Sequence, residues 1–177
     1  MLEAVWADTA QVSLQEAGIT KSSLLVLGID DFYLSKAARQ KLADEVHPLL
    51  KSRGPPGTHD ISLLNRTLDD LAARKNRIEL PIFDKSIDDL SSSTRDLVYS
   101  DDVSDSHSFP AVVILEGWFT GVTANSDQKF INDLEKNFDA DRAWVNYVNE
   151  QLSSDYAICW MKFDAIFHFS IPSFDCV

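Results

Sequence analysis

Two short apolar runs that each stop at an acid constrain this chain more than any other feature. Val26-Leu27-Gly28-Ile29 ends in Asp30-Asp31-Phe32-Tyr33, and Val112-Val113-Ile114-Leu115 ends in Glu116-Gly117. Buried parallel strands read as short continuous apolar runs, and ligands of open α/β sheets gather beyond their C-terminal ends. Two such strands side by side deliver carboxylates to one sheet edge, which suits a hydrated cation or the proton of a reacting hydroxyl. The competing reading makes Asp30 and Asp31 a helix cap and a solvated turn. Gly117 is expected to let the chain turn sharply after its strand.

The rest of the pattern is strand alternating with helix, which implies a parallel α/β sheet with right-handed crossovers. Val5, Val12, Leu14 and Ala17 fit a divergent N-terminal helix over 1–20, ended by Gly18. A strand over 24–29 precedes a helix from a Ser35 cap to His47, closed by Pro48. Residues 51–60, Lys-Ser-Arg-Gly-Pro-Pro-Gly-Thr-His-Asp, form a loop. Asp60 or Thr58 caps a helix over 61–75, an extended piece covers 78–83, and 86–108 reads as a polar loop excursion with weak order. After the strand over 112–116, helices are expected over 128–136 and 141–162, and a third strand over 165–169. Trp144, Tyr147 and Tyr156 read as core residues. The 177 residues suffice for one domain.

Acids outnumber bases 28 to 16, for a formal charge of -12, so the chain lacks the basic face that phosphate neutralisation requires and no nucleic-acid partner is expected. No apolar run approaches the roughly 20 residues of a membrane span. Cys159 and Cys176 make no framework and read as free thiols of a reducing, cytoplasmic compartment. Oligomeric state leaves no mark in the sequence.

Further polar residues cluster around the loop. Arg53, Thr58, His59 and Asp60 could grip a polar small molecule, or form a rigid connector in which His59 is satisfied by Asp60. Lys85 beside Asp84 offers a cation to an anionic ligand, or a surface ion pair of small value. His47 ends a helix, His107 lies in a polar loop, and His168, alternating with Phe167 and Phe169 in a strand, reads as structural.

Taken together, Ile29-Asp30-Asp31-Phe32-Tyr33-Leu34, His47-Pro48-Leu49-Leu50, Arg53-Gly54, Pro56-Gly57-Thr58-His59-Asp60, Phe83-Asp84-Lys85-Ser86 and Ile114-Leu115-Glu116-Gly117-Trp118 stand in the order and spacing of D-glycerate 3-kinase-like proteins. The chain resembles these P-loop small-molecule kinases, more distant relatives of uridine kinase, pantothenate kinase and phosphoribulokinase, over about 24–177. The resemblance implies a three-layer P-loop NTPase-like parallel sheet flanked by helices. It implies ATP and Mg²⁺ as co-substrates and a small hydroxylated acceptor, with D-glycerate as a candidate. Asp30 would be the catalytic base and, with Glu116, a metal ligand; Asp31, Tyr33, Arg53, His59, Asp60, Asp84 and Lys85 would surround the acceptor. Trp118 would pack beneath the site.

Three departures qualify the resemblance. No Gly-x-x-x-x-Gly-Lys-Ser/Thr phosphate loop occurs in the sequence, so ATP lacks its main holder and no nucleotide-binding residue is assigned. The family's tryptophan-arginine segment does not follow Pro172-Ser173-Phe174, and Leu90 follows Asp88-Asp89 where Arg is expected. The expectation is a single incomplete kinase-like domain, truncated at both ends. Its first strand and phosphate loop are missing, its stability marginal and its activity alone impaired or absent. The alternative is a non-catalytic binding or regulatory module that keeps the acceptor half.

Overall fold

The computed structural model describes residues 24–100, 109–125 and 132–170. The first apolar run forms β1, Leu24–Gly28, with Leu27 and Gly28 buried. A 3₁₀ turn, Ile29–Phe32, follows at once: Ile29 and Phe32 anchor in the core and leave Asp30 and Asp31 half-buried between them. Ser35 then caps α1, Lys36–Glu45, its hydroxyl accepting from the Ala38 N–H at 3.2 Å. α1 ends two residues before His47, whose own ring accepts from the Leu49 N–H and starts a 3₁₀ turn over Pro48–Lys51.

Of the two caps expected for the next helix, Asp60 serves. Its carboxylate accepts from the Leu63 N–H at 2.8 Å and begins α2, Ile61–Ala72, which buries Ile61, Leu64, Thr67 and Leu71 along one face. We predict that Asp60→Ala lowers unfolding free energy by about 1 kcal/mol, the usual worth of such a cap, read by urea denaturation.

The segment expected to be a polar excursion is partly ordered. β2, Arg77–Leu80, is followed by β3, Phe83–Asp84, β4, Asp89–Leu90, and β5, Arg95–Val98; β2 pairs with β5 and β3 with β4, both antiparallel. These strands are short; Ile78, Leu80 and Phe83 are buried, and ladder hydrogen bonds compensate for the polar composition of the rest. Leu90 pairs with Phe83 across the second hairpin.

The second apolar run forms β6, Val112–Glu116, parallel to β1 with Leu24 opposite Val112 and Gly28 opposite Glu116. α3, Asp133–Phe138, is followed by two helices where one long helix was expected: α4, Ala143–Ser153, and α5, Asp155–Trp160. The break falls at Ser154, where ψ is -106° and the hydroxyl donates to the Glu150 carbonyl at 2.8 Å. Such back-bonding competes with the helical ladder. The redirected α5 sends Tyr156, Cys159 and Trp160 into the core beside Leu27, Leu64, Leu115, Phe119 and Leu152. Burial pushes the free Cys159 thiol up to about 12, so it packs as an inert apolar group. Tyr156 is fully buried, as expected of a core aromatic.

The expected strand over 165–169 does not form. Among the described residues β1 and β6 pair only with each other, and residues 165–169 belong to no strand. Phe167 is 84% exposed, and Ile166, His168 and Phe169 are exposed as well. His168 therefore has no buried structural role. The expected helix over 1–20, the 128–131 portion of another helix, His107 and Cys176 lie outside the described residues.

Candidate functional site

The site grows from the abrupt end of β1. The 3₁₀ turn carries Asp30 outward, where one carboxylate oxygen accepts from the Tyr33 hydroxyl at 2.9 Å and the other from the Lys85 ammonium at 2.8 Å. Burial alone would raise the Asp30 pKa, but the hydrogen bonds and the Lys85 charge outweigh it, so the carboxyl is held below its ordinary value and stays ionised. Burial, and then the Asp30 charge, push the Tyr33 phenol upward, so it remains a donor at neutral pH.

The glycine- and proline-rich loop closes against this turn through backbone pairing. The Asp60 N–H donates to the Phe32 carbonyl at 2.7 Å and the Leu34 N–H to the Thr58 carbonyl at 2.9 Å, bridging Tyr33 to His59. His59 is therefore buried with its ring stacked on Tyr33, centroids 4.2 Å apart. Its partner is Tyr156 rather than the expected Asp60: His59 Nδ1 lies 3.0 Å from the Tyr156 hydroxyl, and Asp60 is engaged as the α2 cap. Tyr156 and Tyr147 also clamp the loop, accepting from the Gly57 N–H and donating to its carbonyl respectively. Gly57 has φ +95°, and an added Cβ would sit 2.4 Å from the Tyr147 ring, so both backbone and space demand glycine there.

A second assembly borders this cluster. Fully buried Arg39 donates from Nε to the Leu34 carbonyl (3.2 Å) and from its terminal nitrogens to the carbonyls of Lys51 (2.9 Å) and Asp88 (2.6 Å). Its guanidinium also pairs with the Asp88 carboxylate at 3.1 Å, and Arg53 pairs with the same carboxylate. Burial works to raise the Asp88 pKa, but Arg53 and Arg39 hold it below the ordinary value. Both guanidinium groups lie over the Phe83 ring, which meets Tyr33 edge-on. Asp84 faces Ser86, whose hydroxyl and N–H both donate to it and hold its pKa low.

Of the residues singled out in the sequence, Asp30, Tyr33, His59 and Lys85 thus form one contact cluster, and Arg53 joins it through Asp88 and Phe83. Asp31 lies half-buried on the same turn. Asp60 and Asp84 flank the cluster but engage their local cap and turn. Glu116 ends β6 exposed, in register with Gly28, two residues before Asp30.

One expectation is corrected. Trp118 does not pack beneath the site: it is 74% exposed and touches Phe119 edge-on. The chain does turn after Gly117, the Thr120 N–H donating to the Gly117 carbonyl at 3.3 Å, but without a positive φ; glycine is required there by close approach, since an added Cβ would sit 2.4 Å from Ile29 Cγ2. Arg39, Asp88 and Tyr156 were not visible as site residues; a buried arginine inside a polar helix carries no sequence signal.

Among the described residues no group of three or more His, Cys, Asp or Glu side chains could hold a metal. Asp30 and Glu116 are carboxylates, the donor type of which Mg²⁺ takes one or two while keeping most of its water. Chemically the cluster offers an ionised carboxylate, a phenol, an ammonium and a buried imidazole around one strand end. These can accept a proton from a hydroxyl and hold an anionic small molecule.

Comparison with known proteins meets the resemblance read from the motifs. No family model matches the chain. An uncharacterized kinase, mug58, of Schizosaccharomyces pombe is 36% identical over 67 residues, 36% of this chain and 24% of that protein. A probable ATP-dependent kinase, TDA10, of Saccharomyces cerevisiae is 36% identical over 73 residues, 37% of this chain and 25% of that protein. The solved D-glycerate 3-kinase of Cryptococcus neoformans is 31% identical with a TM-score of 0.60, covering 87% of this chain. The chain spans about half of that structure, 55%, and matches about a quarter of the length of mug58. The chain is thus similar in sequence to kinases and in structure to a D-glycerate 3-kinase, and its fold is mixed α/β with a parallel strand pair, consistent with an incomplete P-loop NTPase-like fold.

Proposed function

We propose that this chain forms the acceptor-binding half of an ATP-dependent phosphotransferase site for a small hydroxylated acceptor, D-glycerate being the candidate. The observation that supports it is the Asp30–Tyr33–Lys85 cluster at the end of β1. In this reading the acceptor hydroxyl lies against Asp30. As its oxygen bonds to the γ-phosphorus of ATP, the bond from that phosphorus to the ADP oxygen breaks and the hydroxyl proton passes to Asp30. Lys85, released from Asp30, neutralises the anionic acceptor or the transferring group. Arg53, Asp31, Asp60 and Asp84 stand around this cluster. Mg²⁺, when held through water by Asp30 and Glu116, supplies charge neutralisation at the phosphates.

A second reading, a non-catalytic binding or regulatory module, is favoured by one observation: the 177 residues contain no Walker A signature. Both readings share the acceptor site, and both leave this chain without turnover of its own. The assay that tests this incubates the chain with ATP, Mg²⁺ and D-glycerate and follows ADP release. The expected result is no release above the Asp30→Asn control. Robust turnover by the wild-type chain would show that ATP is held without that loop and would contradict the half-site reading.

A further inference from the structure

His59 combines deep burial with an unmatched hydrogen-bonding group. Only 4% of the residue is exposed, it lies among the rings of Tyr33, Phe119 and Tyr156, and its Nε2 has no partner among the described residues. Its protonation pattern follows from hydrogen-bond accounting at Tyr156. The Gly57 backbone N–H can only donate, so at 3.0 Å it uses the Tyr156 oxygen as acceptor. The Tyr156 proton must then go elsewhere, and His59 Nδ1, also at 3.0 Å, is the partner in reach. Were Nδ1 protonated instead, both its hydrogen and the Gly57 hydrogen would point at one phenol oxygen, and the buried Tyr156 hydrogen would have no acceptor. The satisfied arrangement leaves Nδ1 as acceptor and places the histidine proton on Nε2.

We propose that Tyr156 is a positioning residue that fixes His59 as an uncharged Nε2–H donor, and that this donor is completed by an oxygen of the bound acceptor. Burial keeps the imidazole neutral, lowering its pKa to about 4, with the Asp30 charge opposing that shift only in part. A buried N–H without an acceptor is unfavourable, which favours an oxygen supplied from outside the chain. Nε2 is closed off by the surrounding rings, so a hydroxyl or carboxylate oxygen of a hydroxy acid beside Asp30 reaches it as the Tyr33 and Phe119 rings give way. The ligand half of this inference rests on the acceptor-site reading above; the tautomer half does not.

The test is long-range proton–nitrogen correlation on chain labelled with nitrogen-15 histidine, recorded at pH 7 for wild type and Tyr156→Phe. Wild-type His59 is expected to show a protonated Nε2 and an unprotonated Nδ1, and Tyr156→Phe to shift population toward the Nδ1–H form. A wild-type proton on Nδ1 would overturn the assignment. So would an unchanged ratio in Tyr156→Phe that retains a dispersed, folded spectrum. The wild-type spectrum decides the assignment by itself if the variant does not fold. With D-glycerate added to wild type, the Nε2 resonance is expected to move at saturation. Binding detected by calorimetry without that movement would overturn the donor role. Absence of binding would overturn the acceptor-site reading and the ligand half with it, while the tautomer measurement still decides the role of Tyr156.

Discussion

Arg39→Met will destabilise the chain by about 3–5 kcal/mol, the range expected when one member of a buried ionic network is removed. Methionine fills similar volume but donates nothing, so the carbonyls of Leu34, Lys51 and Asp88 all lose the guanidinium that serves them. Asp88 also loses one of its two cations, at a turn where its own φ is +56°. Arg39→Lys should recover little, because an ammonium cannot copy a planar fork aimed at three separated carbonyls. Against a typical total of about 5–15 kcal/mol, the loss is a large fraction, and for a chain of this size it lowers Tm by roughly 6–20 °C. Thermal and urea unfolding followed by circular dichroism check it. A change below about 1 kcal/mol would mean that water replaces the arginine in all three places.

The second large effect is on pH dependence and comes from His59. In the unfolded chain its pKa returns to about 6.5, the ordinary value, whereas burial holds the folded value at about 4. Between these values the unfolded state takes up a proton that the folded state refuses, so stability is fully present above about pH 6.5 and falls as the pH drops toward 4. The shift corresponds to a loss on the order of 3 kcal/mol. His59→Gln, which cannot titrate, should lack this component and converge with wild type as the pH falls. Asp84, Asp88 and Asp89 also have lowered pKa values and cost stability in acid, but they do so in both proteins and cancel in the comparison, whereas Asp30, lowered in part by His59, cancels only in part. Unfolding free energies measured at half-unit intervals from pH 4 to 8 give the two curves. Parallel curves would show that His59 titrates alike in the folded and unfolded states.

Both effects depend on contacts that local sequence patterns do not carry. β1 and β6 were legible because an apolar run ending in an acid is a local signal, and the Ser35 and Asp60 caps were legible for the same reason. Asp30, Tyr33, His59 and Lys85 could be nominated from motifs that resemble known kinases. The Arg39–Asp88 pair joins residues 49 apart and His59–Tyr156 residues 97 apart, and each arises only when the loops close. Residues 165–169 show the reverse failure: Ile166, Phe167 and Phe169 have strand-forming side chains, yet a strand exists only when a neighbour supplies its ladder. The break at Ser154 was hidden because serine back-bonding depends on where the following aromatics must pack.

The most direct test of the acceptor half is calorimetric titration of D-glycerate, without nucleotide, into wild-type chain and into Asp30→Asn and Lys85→Met. The account predicts saturable one-to-one binding by wild type. Each substitution should weaken it on the order of tenfold or more, as expected when a charge-assisted hydrogen bond is lost, with the fold retained by circular dichroism. No binding by the folded wild-type chain, or equal affinity in all three proteins, would contradict it.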